Sequence, residues 1–523
     1  MVKSITIRKR TGGTELLNVD KIHKVVDFAC EGVTGVSPSD VIMAARITFF
    51  DGITSKQIHQ QLVNSAAGLI SEKTPNYQIV AGRLLMYDIR KDAWGRVLPP
   101  RLYDHIVKMV DEGYYTSELL TNYTEKEWDS INTFMKHDRD FDIMYIGVAE
   151  YRTKYAVRDR SIEEIRPLET PQFTYILAAV IMSGFSKNLA EIKKIYNTIS
   201  TFKISLPTPI MAGLRTPTKQ FSSCVLIDTD DTLDSIISTT GAIVRYISKK
   251  AGIGINASAL RSEGSSVAGN TIKHTGEVPF YRLFESAVKS CSQGGVRGGA
   301  ATLYFPMWTL DFEDLIVLKN NKGTPETRVR KLDYGVQIND YLYNRLVTKG
   351  NITLFSSDEV PGLHDAFFSN KQEFARLYEK YEKSTKIRKK VYTAAEIFAK
   401  FIIERKDTGR IYVLNVDNAN DHSPFNEPIK MSNLCAEILL PTVPLKHLYD
   451  ENGRIALCTL LAINMGLVKD LSELEDLMRT AVFTLDNILD YQDFPLPAAR
   501  EATIDYRPLG IGVINLAYYL AKH

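Results

Sequence analysis

The chain has 523 residues, 44% hydrophobic and 24% charged, with 64 Lys and Arg against 62 Asp and Glu and a net charge of +2. That composition excludes long disorder, collagen and a disulfide scaffold, and the near-zero net charge leaves no overall field to hold a nucleic-acid backbone or an anionic membrane. At roughly 150 residues per domain the length fits about three domains, or one large domain with an appendage.

Residues 1–10 carry charges where a signal peptide needs an apolar core, so a cytoplasmic protein is expected. Ile22, Val25, Val26 and Ala29 repeat on one helical face, and helical runs follow near 57–70, 77–90 and 173–183. The uncharged stretch 170–186 contains Pro171, Gln172, Thr174 and Gly184. It falls short of the roughly 20 apolar residues of a membrane span and predicts a buried helix. After residue 202 come short apolar or β-branched runs at 222–227, 253–257, 301–305, 336–338, 351–355, 411–416 and 456–461, which predict strands. Between them, Thr393 and Glu396 form a capping box before Ile397, Phe398, Phe401 and Ile402, and Ser472 with Glu475 is expected to open a longer helix. Phe374, Leu377, Tyr378 and Tyr381 mark another apolar helical face. Strands separated by helices predict an α/β protein with a parallel sheet or barrel, whose reactive loops lie at the carboxyl ends of strands.

The five cysteines, Cys30, Cys224, Cys291, Cys435 and Cys458, are odd in number and far apart, without CxxC or Cys/His clusters. Neither a disulfide framework nor a metal site is indicated. Asn433, Cys435 and Glu437 stand two residues apart, so an extended chain would put amide, thiol and carboxylate on one side and Leu434, Ala436 and Ile438 on the other. An ordinary half-exposed strand with a core thiol has the same pattern. Cys224 and Cys458 sit inside strand-like apolar runs, where cysteine usually serves as a small hydrophobe. Two such thiols beside a third can also deliver two electrons by closing a disulfide. Glycine-rich segments occur at 251–254 and 292–300, the second with four glycines around Arg297. There the backbone can approach a ligand closely and a cation can meet a phosphate or base; a mobile turn is the alternative. Neither segment fits a dinucleotide fingerprint or a P-loop.

On Ser205-Leu-Pro-Thr-Pro209, Gln220-Phe-Ser-Ser-Cys-Val225, Ser290-Cys-Ser-Gln-Gly-Gly-Val-Arg-Gly-Gly-Ala300, Asn433-Leu-Cys-Ala-Glu437 and 508–515, the chain resembles the large catalytic subunit of class I ribonucleotide reductases. The resemblance runs over essentially the whole length. It implies a helical N-terminal domain followed by a ten-stranded α/β barrel that is incomplete in this chain. The divisions would be a nucleotide-binding cap at 1–95, a helical domain at 96–220 and barrel from 221 to 523, with a finger loop near 417–442.

The implied activity is ribonucleoside-diphosphate reduction through a thiyl radical. Cys435 would abstract the ribose 3′-hydrogen, Glu437 take the 3′-hydroxyl proton and Asn433 position the sugar. Cys224 and Cys458 would supply a proton and two electrons and end as a disulfide. Thr208, Ser223 and the backbone at Gly252 match positions that hold the substrate. Asp231, Ser248 and Arg261 match the specificity-effector site, and the loop containing Gln293 and Arg297 matches the element relaying its signal; a family arginine at that site is Ala268 here. Helices at 231–249 and 277–291 match the homodimer contact. Lys9, Glu15, Asn18, Lys21, His59 and Lys91 match the activity-effector site. There Gln57 and Asp88 replace a common carboxylate and histidine, and Asp88 beside nucleotide phosphates would repel them and weaken feedback by dATP.

The resemblance further implies no metal in this chain, ATP and deoxynucleotide effectors with Mg, and a diiron-tyrosyl radical in a separate small subunit. A thioredoxin or glutaredoxin reductant is implied, and no membrane. Large subunits of this family continue past the end of this sequence, so a second polypeptide completing the barrel is expected, a truncated form being the alternative. Two rivals remain at this stage, a catalytically idle nucleotide-binding regulatory subunit and a glycyl-radical reductase, the latter requiring a carboxyl-terminal glycyl loop.

Overall fold

The computed structural model describes residues 5–523 apart from 11, 46–49, 160, 162–163, 250 and 294–296, and only the backbone of 292–293 and 297. The chain divides into two units, one made of 1–221, 461–491 and 511–523 and the other of 222–460 and 492–510.

The first unit is mainly helical. A short hairpin, Thr6–Arg8 against Thr14–Leu16, leads into α1 (Val19–Cys30), followed by α2 (Ser55–Gly68) and α3 (Tyr77–Trp94). Ile22, Val26 and Ala29 on one face of α1 share a buried cluster with Leu62 and Ala66 of α2 and Val80 and Leu84 of α3. The uncharged run forms α4 (Pro171–Met182), buried at every residue, with Pro171 in the first turn where no amide is needed. No helix among the described residues is long and apolar enough to cross a membrane. The helix Leu471–Tyr491 begins two residues earlier than the Ser472 box requires. Asp470 Oδ1 accepts from the Glu473 amide and Glu473 Oε2 from the Lys469 amide, so the overlapping frame two residues upstream does the capping.

The second unit is built on a curled, open sheet. Its strands are β1 (Cys224–Asp228), β2 (Gly252–Asn256), β3 (Ala301–Pro306), β4 (Asp333–Ile338), β5 (Ile411–Asn415), β6 (Ala456–Asn464) and β7 (Leu509–Ile514), the last two running on into the first unit. Their spatial order is β5-β4-β3-β2-β1-β6-β7, and among the described residues β5 and β7 do not pair with each other. From β5 to β1 every neighbour is parallel. Strands β1, β2 and β3 are buried throughout, as expected of a parallel sheet covered on both faces. The crossovers include α5 (Leu233–Ser248), capped by Thr232, and α6 (Val278–Ser290).

Two expectations are corrected. The sheet is mixed, since β6 runs antiparallel to β1. The run at 351–355 lies outside it, as Asn351–Phe355 pairs with Lys389–Thr393 in a separate two-stranded sheet. Its apolar side chains record burial against α7 (Lys371–Lys383), whose Tyr378 hydroxyl exchanges hydrogen bonds with Thr353, and burial alone does not say which sheet a strand joins. The capping box of Thr393 and Glu396 opens α8 (Ala394–Thr408) as predicted, and Gly409 closes it at φ 63°.

Candidate active site

Two glycines make room for the central loop. A Cβ on Gly254 would lie 2.1 Å from the Ser432 carbonyl oxygen and 2.8 Å from the Asn433 Cα, and one on Gly252 would meet Leu434 Cδ2 at 2.6 Å. The loop therefore rests on β2 where the sheet carries no side chains. Neighbouring strands grip its backbone. Thr302 Oγ1 on β3 donates to the Leu434 carbonyl at 2.7 Å, and the Tyr304 hydroxyl donates to that of Asn433 at 2.9 Å. Gly335 on β4 leaves space for the Tyr304 ring, which a Cβ would approach to 2.3 Å.

Residues 433–437 are not extended as the alternation predicted. Asn433 Oδ1 accepts from the Glu437 and Ile438 amides at 3.0 and 3.1 Å, and Ala436 has φ 62°, so the segment is a tight turn. The turn still exposes Cys435 and Glu437 together while Asn433 is 1% exposed.

Cys224 and Cys458 are directly opposed across the antiparallel β1–β6 pair. Such partners have Cα atoms roughly 4.5–5.5 Å apart, within the range a disulfide spans. The Cys224 thiol lies 3.7 Å from Glu437 Oε1 and 3.5 Å from the Ser223 hydroxyl. Burial pushes Cys224 up to about 12; Ser223 and Asn433 oppose that rise, while Glu437 and Cys435 add to it. Cys458 is raised by burial and then by Cys224 and Glu437, and Cys435 by burial, Glu437 and Asp333. Glu437 thus stands against the opposed pair of Cys224 and Cys458, on the same turn as Cys435. A thiol at about 12 carries roughly a thousandfold less thiolate near pH 8 than one titrating at 9.0. Iodoacetamide at pH 8 should therefore alkylate exposed Cys435 well ahead of Cys224 and Cys458, as read by peptide mass; equal labelling of all three would contradict this arrangement.

Of the other predicted substrate residues, Ser223 and Gly252 stand at this site, and Thr208 opens the short helix Thr208–Gly213 in the first unit. Asp231 and Arg261 are paired, the Arg261 Nε donating at 2.7 Å and its amide at 3.1 Å. Ser248 lies at the far end of α5, whose 16 residues span about 24 Å, so one chain does not bring it to that pair. Ala268 occupies the turn between Ser266–Val267 and Ile272–Lys273. The side chains of Gln293 and Arg297 lie outside the described residues; their backbones pair across a two-stranded hairpin. His274, not singled out in the sequence, is held below its ordinary value first by burial, and feels the charges of both Asp231 and Arg261.

In the first unit, Lys9 and Lys21 both close on Glu15, at 2.8 and 3.0 Å, and Asn18 caps α1. Buried His59 bonds the Leu84 carbonyl and stacks on Tyr87, with Lys91 4.7 Å above the same ring. A cleft of about 820 Å³ opens here, lined by Lys9, Arg10, Lys56, Lys91 and Arg166 among others. The expected repulsion from Asp88 is not what the structure shows. Asp88 is fully buried, closed on by Arg10, with Arg152 at 3.4 Å. Burial would raise its carboxyl, but His59, Arg10 and Arg152 hold it below the usual range. Gln57 accepts from the Thr54 amide and hydroxyl and so caps α2.

Comparison with known proteins shows the family. Family models match at residues 5–92 (ATP cone domain), 141–219 (ribonucleotide reductase, all-alpha domain) and 222–523 (ribonucleotide reductase, barrel domain). The chain is 52% identical over 529 residues to the ribonucleoside-diphosphate reductase subunit alpha of Haemophilus influenzae, covering all of this chain and 70% of that protein. It is 54% identical to the ribonucleoside-diphosphate reductase 1 subunit alpha of Escherichia coli K12, with 100% and 69% covered. The subunit alpha of Enterobacteria phage T4 is 42% identical, with 99% and 69% covered. With the turn bearing Cys435, the opposed thiols on β1 and β6 and these matches together, the chain belongs to the ribonucleotide reductase large-subunit family.

Proposed function

We propose that the chain carries the active site of a ribonucleoside-diphosphate reductase. A radical-generating small subunit, of the diiron-tyrosyl class, supplies one-electron oxidation of Cys435. The Cys435 thiyl takes the 3′-hydrogen atom, Glu437 takes the 3′-hydroxyl proton, and Asn433 orients the sugar. The 2′-hydroxyl leaves as water with a proton from the Cys224/Cys458 pair. As they close to a disulfide the two thiols pass two electrons and their remaining proton to the substrate, the new hydrogen ending on C2′; Glu437 returns its proton to the 3′-oxygen, and return of the 3′-hydrogen regenerates the thiyl. Burial fits this role, because a reductant pair that must donate a proton is best kept as thiols. The observation carrying the reading is the cross-strand register of Cys224 and Cys458 beside Glu437.

The basic cleft suits a nucleotide triphosphate, carried with Mg, as effector. Asp231 and Arg261 are read as half of a second effector site. Leu233, Ile237 and Leu283 are 67%, 63% and 40% exposed on α5 and α6. An antiparallel homodimer on this face would bring Ser248 of one copy to Asp231 and Arg261 of the other. Val513 and Ile514 leave β7 an exposed apolar edge, suited to cover by further strands from the same or a second polypeptide.

The test combines this chain, the residues by which its relatives are longer, a small radical subunit and a ribonucleoside diphosphate, without external reductant. One Cys224–Cys458 disulfide should form per deoxynucleotide released, counted by peptide mass. Deoxynucleotide formation without that disulfide would overturn the assignment of the pair, and thioredoxin or glutaredoxin should restore turnover.

A further inference from the structure

The loop carrying Cys435 enters and leaves through one buried carboxylate. Lys430 Nζ, at the entry, is 2.9 Å from Asp228 Oδ2, and Thr442 Oγ1, at the exit, donates to the same oxygen at 3.4 Å. The other oxygen, Oδ1, accepts from Asn256 Nδ2 at 2.8 Å. Asn256 Oδ1 in turn accepts from Gln337 Nε2 at 2.8 Å, and that same amide donates to the Lys430 carbonyl at 2.6 Å. The chain of bonds is closed: it passes from β1 through β2 to β4 and returns to β1 through Lys430. Asp228, Asn256 and Gln337 are 2%, 0% and 0% exposed, and side chains so buried hold single rotamers.

None of these residues reaches the Cys435 turn itself. The turn is gripped separately by Thr302 and Tyr304. Those two bonds fix the height of the turn above β3, while the ring at its base fixes where both ends of the loop cross the sheet. A loop held at its tip and at both ends has one position rather than a family of them.

We propose that Asp228 is a positioning residue for the reaction, anchoring both ends of the Cys435 loop through Lys430 and Thr442 and, through Asn256 and Gln337, tying them to the sheet. The catalytic part of this proposal rests on the reading of Cys435 as radical initiator; the anchoring part does not. A thiyl and a ribose C3′–H must meet at near-contact distance, and small displacements of positioned groups cost large factors in rate.

Asp228→Asn keeps the shape and the bond to Asn256 but leaves the Lys430 cation without its counter-charge. Two measurements test it. Hydrogen–deuterium exchange should quicken at least about tenfold in the peptide 429–442 while β2 and β3 keep their protection. In the reconstituted reductase complex, kcat should fall at least about tenfold with substrate Kd within about twofold. Adding Lys430→Met in the Asp228→Asn background removes the stranded cation and should recover part of both losses. Should Asp228→Asn fold poorly, Lys430→Met alone carries the same pair of measurements. Unchanged exchange at 429–442, or faster exchange spread evenly over the whole unit, overturns the anchor. Local loosening with unchanged kcat in an active complex overturns the positioning role. A wild-type complex with no reductase activity sinks the functional reading instead, and the exchange measurement still decides the anchor.

Discussion

Cys435→Ala is expected to abolish deoxynucleotide formation, by roughly 10⁴-fold or more, because no other group on the turn can carry a radical to the sugar. Glu437 lacks a sulfur, and Cys224 and Cys458 are buried and paired with each other across the strands. The fold should be indifferent to the change: Cys435 is exposed, and exposed substitutions of this kind shift stability by only about 0.5 kcal/mol. Effector binding should survive, with deoxynucleotide affinity within about twofold of wild type by equilibrium dialysis. That combination separates an enzyme from an idle regulatory subunit, which would show no activity to lose. Residual turnover in the alanine variant would remove Cys435 from the role of initiator.

Gly254→Ala should be severely damaging for a single added methyl. The new Cβ would stand 2.1 Å from the Ser432 carbonyl oxygen, a backbone atom whose loop is held by Thr302, Tyr304 and the ring at Asp228. Strand β2 cannot retreat, being buried and hydrogen-bonded on both sides by β1 and β3. A loss of roughly 3 kcal/mol is expected from overpacking of this kind, read as a lower urea midpoint, together with near-complete loss of activity as the loop is pushed off the sheet. Gly252→Ala is the internal control. Its Cβ meets the side chain of Leu434, at 2.6 Å from Cδ2, and a leucine can change rotamer. The expected order is therefore a severe effect at 254 and a milder one at 252. Equal effects, or a wild-type urea midpoint at 254, would show that the loop does not sit where the glycines place it.

Strand-forming runs at β1 to β6 and the helix opened by Thr393 were legible because burial and capping leave periodic, local marks. The turn at 433–437 was misread for a physical reason. Alternation of polar and apolar residues is shared by a half-buried strand and by a short turn, and the Asn433 side chain, which folds back onto two amides, decides between them. The mixed character of the sheet was hidden because pairing direction depends on connections, not composition. At the site, the thiols and the carboxylate were found by residue type and resemblance. Asp228, Gln337, Thr302 and Tyr304 were missed, since each looks like an ordinary strand-end or strand residue. One signal was available: Gly252 and Gly254 alternate on a strand, which clears a single face for close backbone approach. The pairing of Asp88 with Arg10 and Arg152 joins residues 78 and 64 positions apart, and no local pattern carries it.

That buried cluster has a consequence for how the cap would receive an anion. Arg10 closes on both Asp88 and Asp92, and Arg152 stands 3.4 Å from each. The floor of the cleft is thus assembled before anything enters it. A polyphosphate entering it would meet scaffolding already in place and spend little of its affinity on freezing side chains.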